Sequence, residues 1–207
     1  LLISIPLSMV IIDIKPIYSN WSASGIWIVT SLFTSYIFSF NLFRSFFQID
    51  SLFSLPISSI QFIGFSYIYA LIIAIIQLAI SIIIIGTLNN DYINIINLLT
   101  LLVLLLPVIV IVSNIAYFIN IFFQNTMTLS IIHLLIFIIL SFNYGAFVPL
   151  KYFPDSYVKF IKLLPIPGVI NNAQNIISSQ SVTFSFFIIS MFVFIVLSLL
   201  MFFKVEK

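Results

Sequence analysis

The chain contains no cysteine, one histidine and very little charge: seven Lys+Arg and five Asp+Glu in 207 residues, or 6%. Without cysteine there is no disulfide framework and no thiolate to ligate a metal or attack a substrate. A soluble globular domain carries roughly a quarter of its residues as charged side chains. Twelve charges cannot wet such a surface, so a soluble domain is excluded. A net charge of +2 provides no basic face for nucleic acid, and the scarcity of charge argues against disorder. What is present is apolar: 63% hydrophobic residues, 24 of them phenylalanine, and a mean hydropathy of +1.33. The reading is a polytopic membrane protein, one transmembrane domain over residues 1–207.

A spanning helix needs about 20 mostly apolar residues. The charges, at Asp13, Lys15, Arg44, Asp50, Asp91, Lys151, Asp155, Lys159, Lys162, Lys204, Glu206 and Lys207, divide the chain into such stretches. Spans are predicted over residues 23–42, 59–85, 95–122, 129–147 and 183–203. The break between the third and fourth of these is the polar run Gln124-Asn125-Thr126-Met127-Thr128. Residues 1–14 are apolar but too short to cross, and read as the end of a first span that begins outside this chain. The runs are continuously apolar instead of alternating, which argues against a barrel. The fold class expected is all-α: a transmembrane bundle of six spans, the first truncated. Pro107 is expected to kink its helix.

Two segments are not spans. Residues 44–58 set Phe46, Phe47, Leu52, Phe53 and Leu55 among Ser45, Gln48, Asp50, Ser51 and Ser54, with Pro56 after them. That pattern reads as a short amphipathic helix at the membrane surface, either a plain anchor or a docking helix for a soluble partner. Residues 145–175 carry Gly145, Pro149, Pro154, Pro165, Pro167 and Gly168. Between the prolines, Tyr157, Phe160, Ile161 and Leu164 are expected to share a face opposite Asp155, Lys159 and Lys162. An interfacial or re-entrant hairpin fits this segment. The run Asn171-Asn172-Ala173-Gln174-Asn175 is expected to face water or a protein interface.

In this order the two segments resemble the permease subunits of type-2 ATP-binding-cassette (ABC) transporters. Arg44, Leu52, Pro56, Ile57 and Ser58 stand where that family has a charged start and a Leu-x-x-x-Pro-Ile-Ser ending, and Gln77 lies within the next span. The late family motif is matched by Gly145, Phe147, Pro149, Leu150, Phe153, Pro154, Leu164 and Pro165. The acidic residue and Gly-Thr pair common in the first segment are absent, and Gln174 lies near where many members place Arg. The resemblance implies six spans with cytoplasmic termini and a homodimer or heterodimer with a second permease. It also implies a separate ABC ATP-binding subunit that carries ATP and magnesium. Arg44, Asp50, Leu52, Phe53, Leu55 and Pro56 would couple to that ATPase, and Gly145, Phe147, Pro149, Pro154 and Pro165 would form a re-entrant element on the far side. Counting Lys and Arg by side gives three inside against four outside, which does not favour this orientation.

Catalytic chemistry has little to stand on. There is no cluster of acids or histidines, and no Gly-rich Lys-Ser/Thr loop to bind ATP. The chain is therefore expected to be no enzyme and to bind no cofactor or metal itself. His133 is an intramembrane ionisable group, read as a functional candidate or as a neutral imidazole bonded to a neighbouring helix. Asn41, Gln77, Asn114 and Asn143, with Asn120 and Ser141, either line a route or join helices. The expected function is export of an amphipathic or apolar substrate (a drug, peptide or lipid-linked molecule) across the cell membrane, with membrane lipid around the chain and no nucleic-acid partner. The alternative is a stand-alone secondary transporter or channel.

Overall fold

The computed structural model describes residues 18–48, 59–89, 95–177, 188–193 and 195–198. These residues are helical apart from short connections, with no strand among them. Helix α1 is Tyr18–Gln48, α2 Ser59–Asn89, α3 Ile95–Phe122 and α4 Thr126–Ile138. A π-helical segment, Ile139–Asn143, continues α4. A 3-10 turn at Leu150–Tyr152 leads to α5, Asp155–Ile161, and α6, Pro165–Ile177.

Four stretches are long and apolar enough to cross a membrane: Ser22–Ser45, Gln61–Ile84, Ile96–Phe122 and Thr126–Asn143. The chain is thus a multi-pass helical membrane protein. The region predicted as the last span contains a shorter apolar helix, Ile188–Ser198. Residues 1–14, and most of the segment 44–58, lie outside the described residues.

The ends of α3 and α4 follow from local chemistry. Asn125 caps α4, its side-chain oxygen accepting from the Met127 N–H at 2.9 Å. The chain therefore turns at Gln124-Asn125, where the polar break predicts it. Helix α3 runs unbroken through Pro107, which leaves the Val103 carbonyl without its usual intrahelical partner.

The spans differ in how they are buried. Of the spans in α1 and α3, 56% of each is inside the protein, against 22% for that in α2 and 17% for the α4 span. Lipid is as apolar as leucine, so close van der Waals approach and hydrogen bonds, more than hydrophobicity, hold helices together there. The α1–α2 seam is built accordingly from small residues. Ser31 donates to the Ala74 carbonyl at 2.8 Å and Ser35 to the Ala70 carbonyl at 3.3 Å. Thr30 and Ser81 share a hydrogen bond at 3.0 Å. Larger side chains fill the space between α1 and α3, with Trp27, Ile28, Leu32, Leu104, Leu105 and Ile109 all fully buried.

Helix α4 meets α1 through rings instead. Phe33 and Phe137 lie edge to face at 5.1 Å, and Phe40 and His133 at 4.5 Å. Such pairs add about 0.5–1.5 kcal/mol beyond the area they bury.

Candidate functional site

The residues of the late motif meet at one end of the bundle, where α4 stops. The predicted span over 129–147 ends earlier, at Asn143, and for a local reason. The π segment widens the last turn, and the Ser141 carbonyl accepts from the Phe147 N–H at 3.1 Å. Gly145 then takes φ +85°, a left-handed conformation that only glycine adopts freely. The chain folds back so tightly that a Cβ on Gly145 would sit 2.8 Å from the Leu150 side chain.

The folded-back loop presses onto α1. A Cβ on Gly25 would lie 2.9 Å from the Ala146 carbonyl carbon, so the glycine makes room for backbone, not for a movable side chain. Phe147, Pro149 and Pro165 are buried around this junction, whereas Pro154 is exposed. Phe142 and Phe147 pack with ring centroids 5.6 Å apart.

Helix α6 closes the junction from the other side. Pro165 and Pro167 fall within its first turn, where the first N–H groups have no intrahelical acceptor in any case. The first bond is Gly168 N–H to the Leu164 carbonyl, at 3.3 Å. Prolines that read as breakers therefore start a helix of 13 residues.

Of the run 171–175, expected to face water or a protein interface, Asn172 and Gln174 are buried and so do not face water, while Asn171 and Asn175 are half-buried. Gln174 donates from Nε2 to the Gly145 carbonyl at 2.8 Å, so the amide holds the loop that Gly145 bends. The bond helps to satisfy a buried amide, as buried polar groups require.

Helix α5 divides the expected face as well. Ile161 is buried, but Phe160 is 60% exposed, on the solvent or lipid side with the lysines. The Tyr157 hydroxyl donates to the Asn143 carbonyl at 3.1 Å and its ring stacks on Phe153 at 5.2 Å. Burial pushes the Tyr144 phenol above its usual range, and Tyr157 nearby adds to the shift, so Tyr144 stays neutral.

The remaining sequence candidates are dispersed. Arg44, in the last turns of α1, is half-buried with its guanidinium 6.0 Å from the centre of the Phe40 ring. Asp50, Leu52, Phe53, Leu55 and Pro56 lie outside the described residues. Asn41 and Asn143 are exposed. Gln77 donates to Ser81 at 3.4 Å. Asn114 is fully buried, accepting from the Tyr67 hydroxyl at 2.6 Å and donating to Ser198 at 3.3 Å. Asn120 donates to the Phe40 carbonyl at 2.9 Å. The Asn114 and Asn120 bonds tie helices together, the Gln77 bond stays within α2, and the four candidate lining residues sit on different helices.

His133 bonds to a neighbouring helix: its Nδ1 and the Tyr36 hydroxyl are 2.8 Å apart. A Tyr36 hydroxyl donating to Nδ1 would leave Nε2 as the protonated nitrogen. No group of three metal-ligating side chains occurs among the described residues.

No family model, curated protein or solved structure matches this chain.

Sequence reasoning missed several members of these networks. Tyr67 and Ser198 carry no local signal, because each acts through a partner distant in the chain; Gln174 was singled out, but not its bond to the Gly145 carbonyl. The Trp27 indole N–H is buried with no acceptor among the described residues, and the Ser39, Ser113 and Ser141 hydroxyls are likewise without a partner there.

Proposed function

We propose that this chain is the permease subunit of an ATP-driven type-2 ABC exporter, moving an amphipathic or apolar substrate across the cell membrane. The observation that carries the reading is the junction at residues 145–177. Its motif residues make a backbone reversal at Gly145 and two short helices folded against the end of the bundle, rather than a span. A hairpin of this kind at a membrane boundary suits an element past which a substrate leaves.

Electrostatics favour an apolar cargo. Within the four candidate spans Arg44 is the one formally charged side chain, and it lies in the last turn of its span. A strongly ionic solute needs opposite charge or a polar lining near the midplane to offset its desolvation. No charged side chain stands near the middle of any of the four described spans.

In the mechanism proposed, a separate ATPase subunit binds ATP and magnesium, and its closure displaces the segment 44–58. Helix α1 is continuous from Arg44 to the Gly25–Ala146 contact, so a push at one end reaches the junction at the other. Two such permeases, identical or different, form the complete pathway, each with six spans and cytoplasmic termini.

The test is copurification. Phe53→Asp with Leu55→Asp should abolish recovery of the ATPase with the chain and stop transport. Gly64→Ala, at a position with open space around it, should leave both intact. Retention of the ATPase by the double variant would sink the coupling assignment, and transport without any ATPase would indicate a stand-alone carrier.

A further inference from the structure

Helix α5 turns three different faces to its surroundings within seven residues. Tyr157 and Ile161 face the protein, one bonded to the Asn143 carbonyl and the other buried. Phe160 faces outward, 60% exposed, with Leu163 just beyond the helix at 59% and Tyr152 just before it at 58%. Asp155, Lys159 and Lys162 are exposed as well. At about 100° per residue, the lysines fall on one edge of the outward surface and Phe160 on the other.

The depth of this helix follows from its anchor. Asn143 is the last residue of the candidate span Thr126–Asn143, so its carbonyl lies at the membrane boundary. The Tyr157 hydroxyl ties α5 to that carbonyl, at the level where acyl chains give way to headgroups. Three large apolar side chains exposed together beside basic ones suit that level, with rings in the acyl boundary and amines reaching outward. Asp155 sits in the first turn, where its charge is favoured by the helix's own N–H groups. Lys159 and Lys162 have no ion pair among the described residues, and with the exposed Asp155 on the same edge the two lysines leave it a net positive charge of one.

We propose that α5 and its flanks form a contact site for anionic phospholipid of the surrounding bilayer. Tyr152, Phe160 and Leu163 enter the acyl boundary, and Lys159 and Lys162 engage headgroup phosphates. The proposal stands apart from the transport reading, since it uses only this surface and its depth.

The natural chain has no cysteine, so Leu163→Cys carries a single environment-sensitive bimane. Phosphatidylglycerol titrated into the purified full chain in neutral detergent should shift bimane emission to the blue, and phosphatidylcholine should do so much less. Each basic residue near an anionic surface contributes enough that Lys159→Gln with Lys162→Gln should raise the titration midpoint roughly 30-fold. Lys159→Arg with Lys162→Arg should keep it within about twofold, because charge is retained. Equal response to the two lipids would overturn the proposal, as would an unchanged midpoint in the Gln variant. Reproduction of the shift by soluble glycerol phosphate alone would also overturn it, assigning the site to free phosphate instead of a bilayer.

Discussion

At the scale of single residues, two glycines show how far an identical substitution can diverge. Gly25 faces the Ala146 backbone with no room for a methyl group, whereas nothing lies within 4 Å of a Cβ built on Gly64. Replacing a mid-helix glycine with alanine favours the helix by about 1 kcal/mol. At Gly64 that gain is free, so Gly64→Ala should raise the thermal midpoint in detergent slightly or leave it unchanged. At Gly25 it is opposed by overpacking against backbone, which costs about 1–3 kcal/mol or more. Gly25→Ala should therefore lower the midpoint and loosen the 145–149 loop, and a midpoint equal to wild type would remove the close contact from the fold. Neither outcome was legible in the sequence, where the two residues look alike inside apolar helices. Gly145 was more legible, because a glycine followed closely by Pro149 and Pro154 already reads as a turn. His133 was half legible: its place in a span was evident, and its partner Tyr36, 97 positions away in the chain, was not.

At the scale of elements, the spans could be read because each is bounded by a feature that acts locally. Helix α3 ends as predicted at Ile95 and Phe122, the second end set by the Asn125 cap that follows it. Prediction overshot at Asn143, where a widened turn and a glycine stop the helix before the apolar run is exhausted. Periodicity was only partly right for α5, where Tyr157 and Ile161 face inward but Phe160 faces out, whereas the inward face of α6 is a plain apolar stripe of Val169, Ile170 and Ala173. The pairing of Tyr67, Asn114 and Ser198 is non-local. It joins α2, α3 and the helix Ile188–Ser198 through one buried polar node, with Tyr67 and Ser198 3.3 Å apart. Polar bonds between membrane helices average about 0.6 kcal/mol and reach about 1.7. Tyr67→Phe keeps the ring and removes the donor, so a loss of that size is expected. Its specific sign should be faster amide exchange in the segment carrying Ser198, with exchange in α1 unchanged. Equal acceleration in both would mean general loosening, and the node would not be what docks the last helix.

At the scale of the whole molecule, the distribution of burial is inverted relative to a soluble bundle. Helix α1 is among the most buried spans, yet its serines at 22, 24, 31, 35 and 39 are all inside, while the isoleucines at 68, 72, 76, 80 and 83 of α2 face out. Polar atoms turn inward because only other helices can satisfy them in hydrocarbon, and isoleucine outward because lipid accepts it. The α4 span is the least buried of the four, and its 18 residues, at a rise of about 1.5 Å each, reach about 27 Å. That length just matches a hydrocarbon core of about 30 Å, with Gln124 and Asn125 at one boundary and Asn143 at the other. The loop before α4 and helix α5 after it must then lie on opposite sides of the membrane. Single cysteines at the exposed positions Gln124 and Ser156 test this directly, against no background from the natural chain. In intact cells a membrane-impermeant maleimide should label one and spare the other until the cells are permeabilised. The proposed exporter orientation requires Ser156→Cys to be the one labelled from outside. Labelling of Gln124→Cys alone would invert the orientation and place the α5 lipid contact on the inner leaflet. Labelling of both from one side would mean that α4 does not cross, because no other stretch between those two residues is long enough to return the chain.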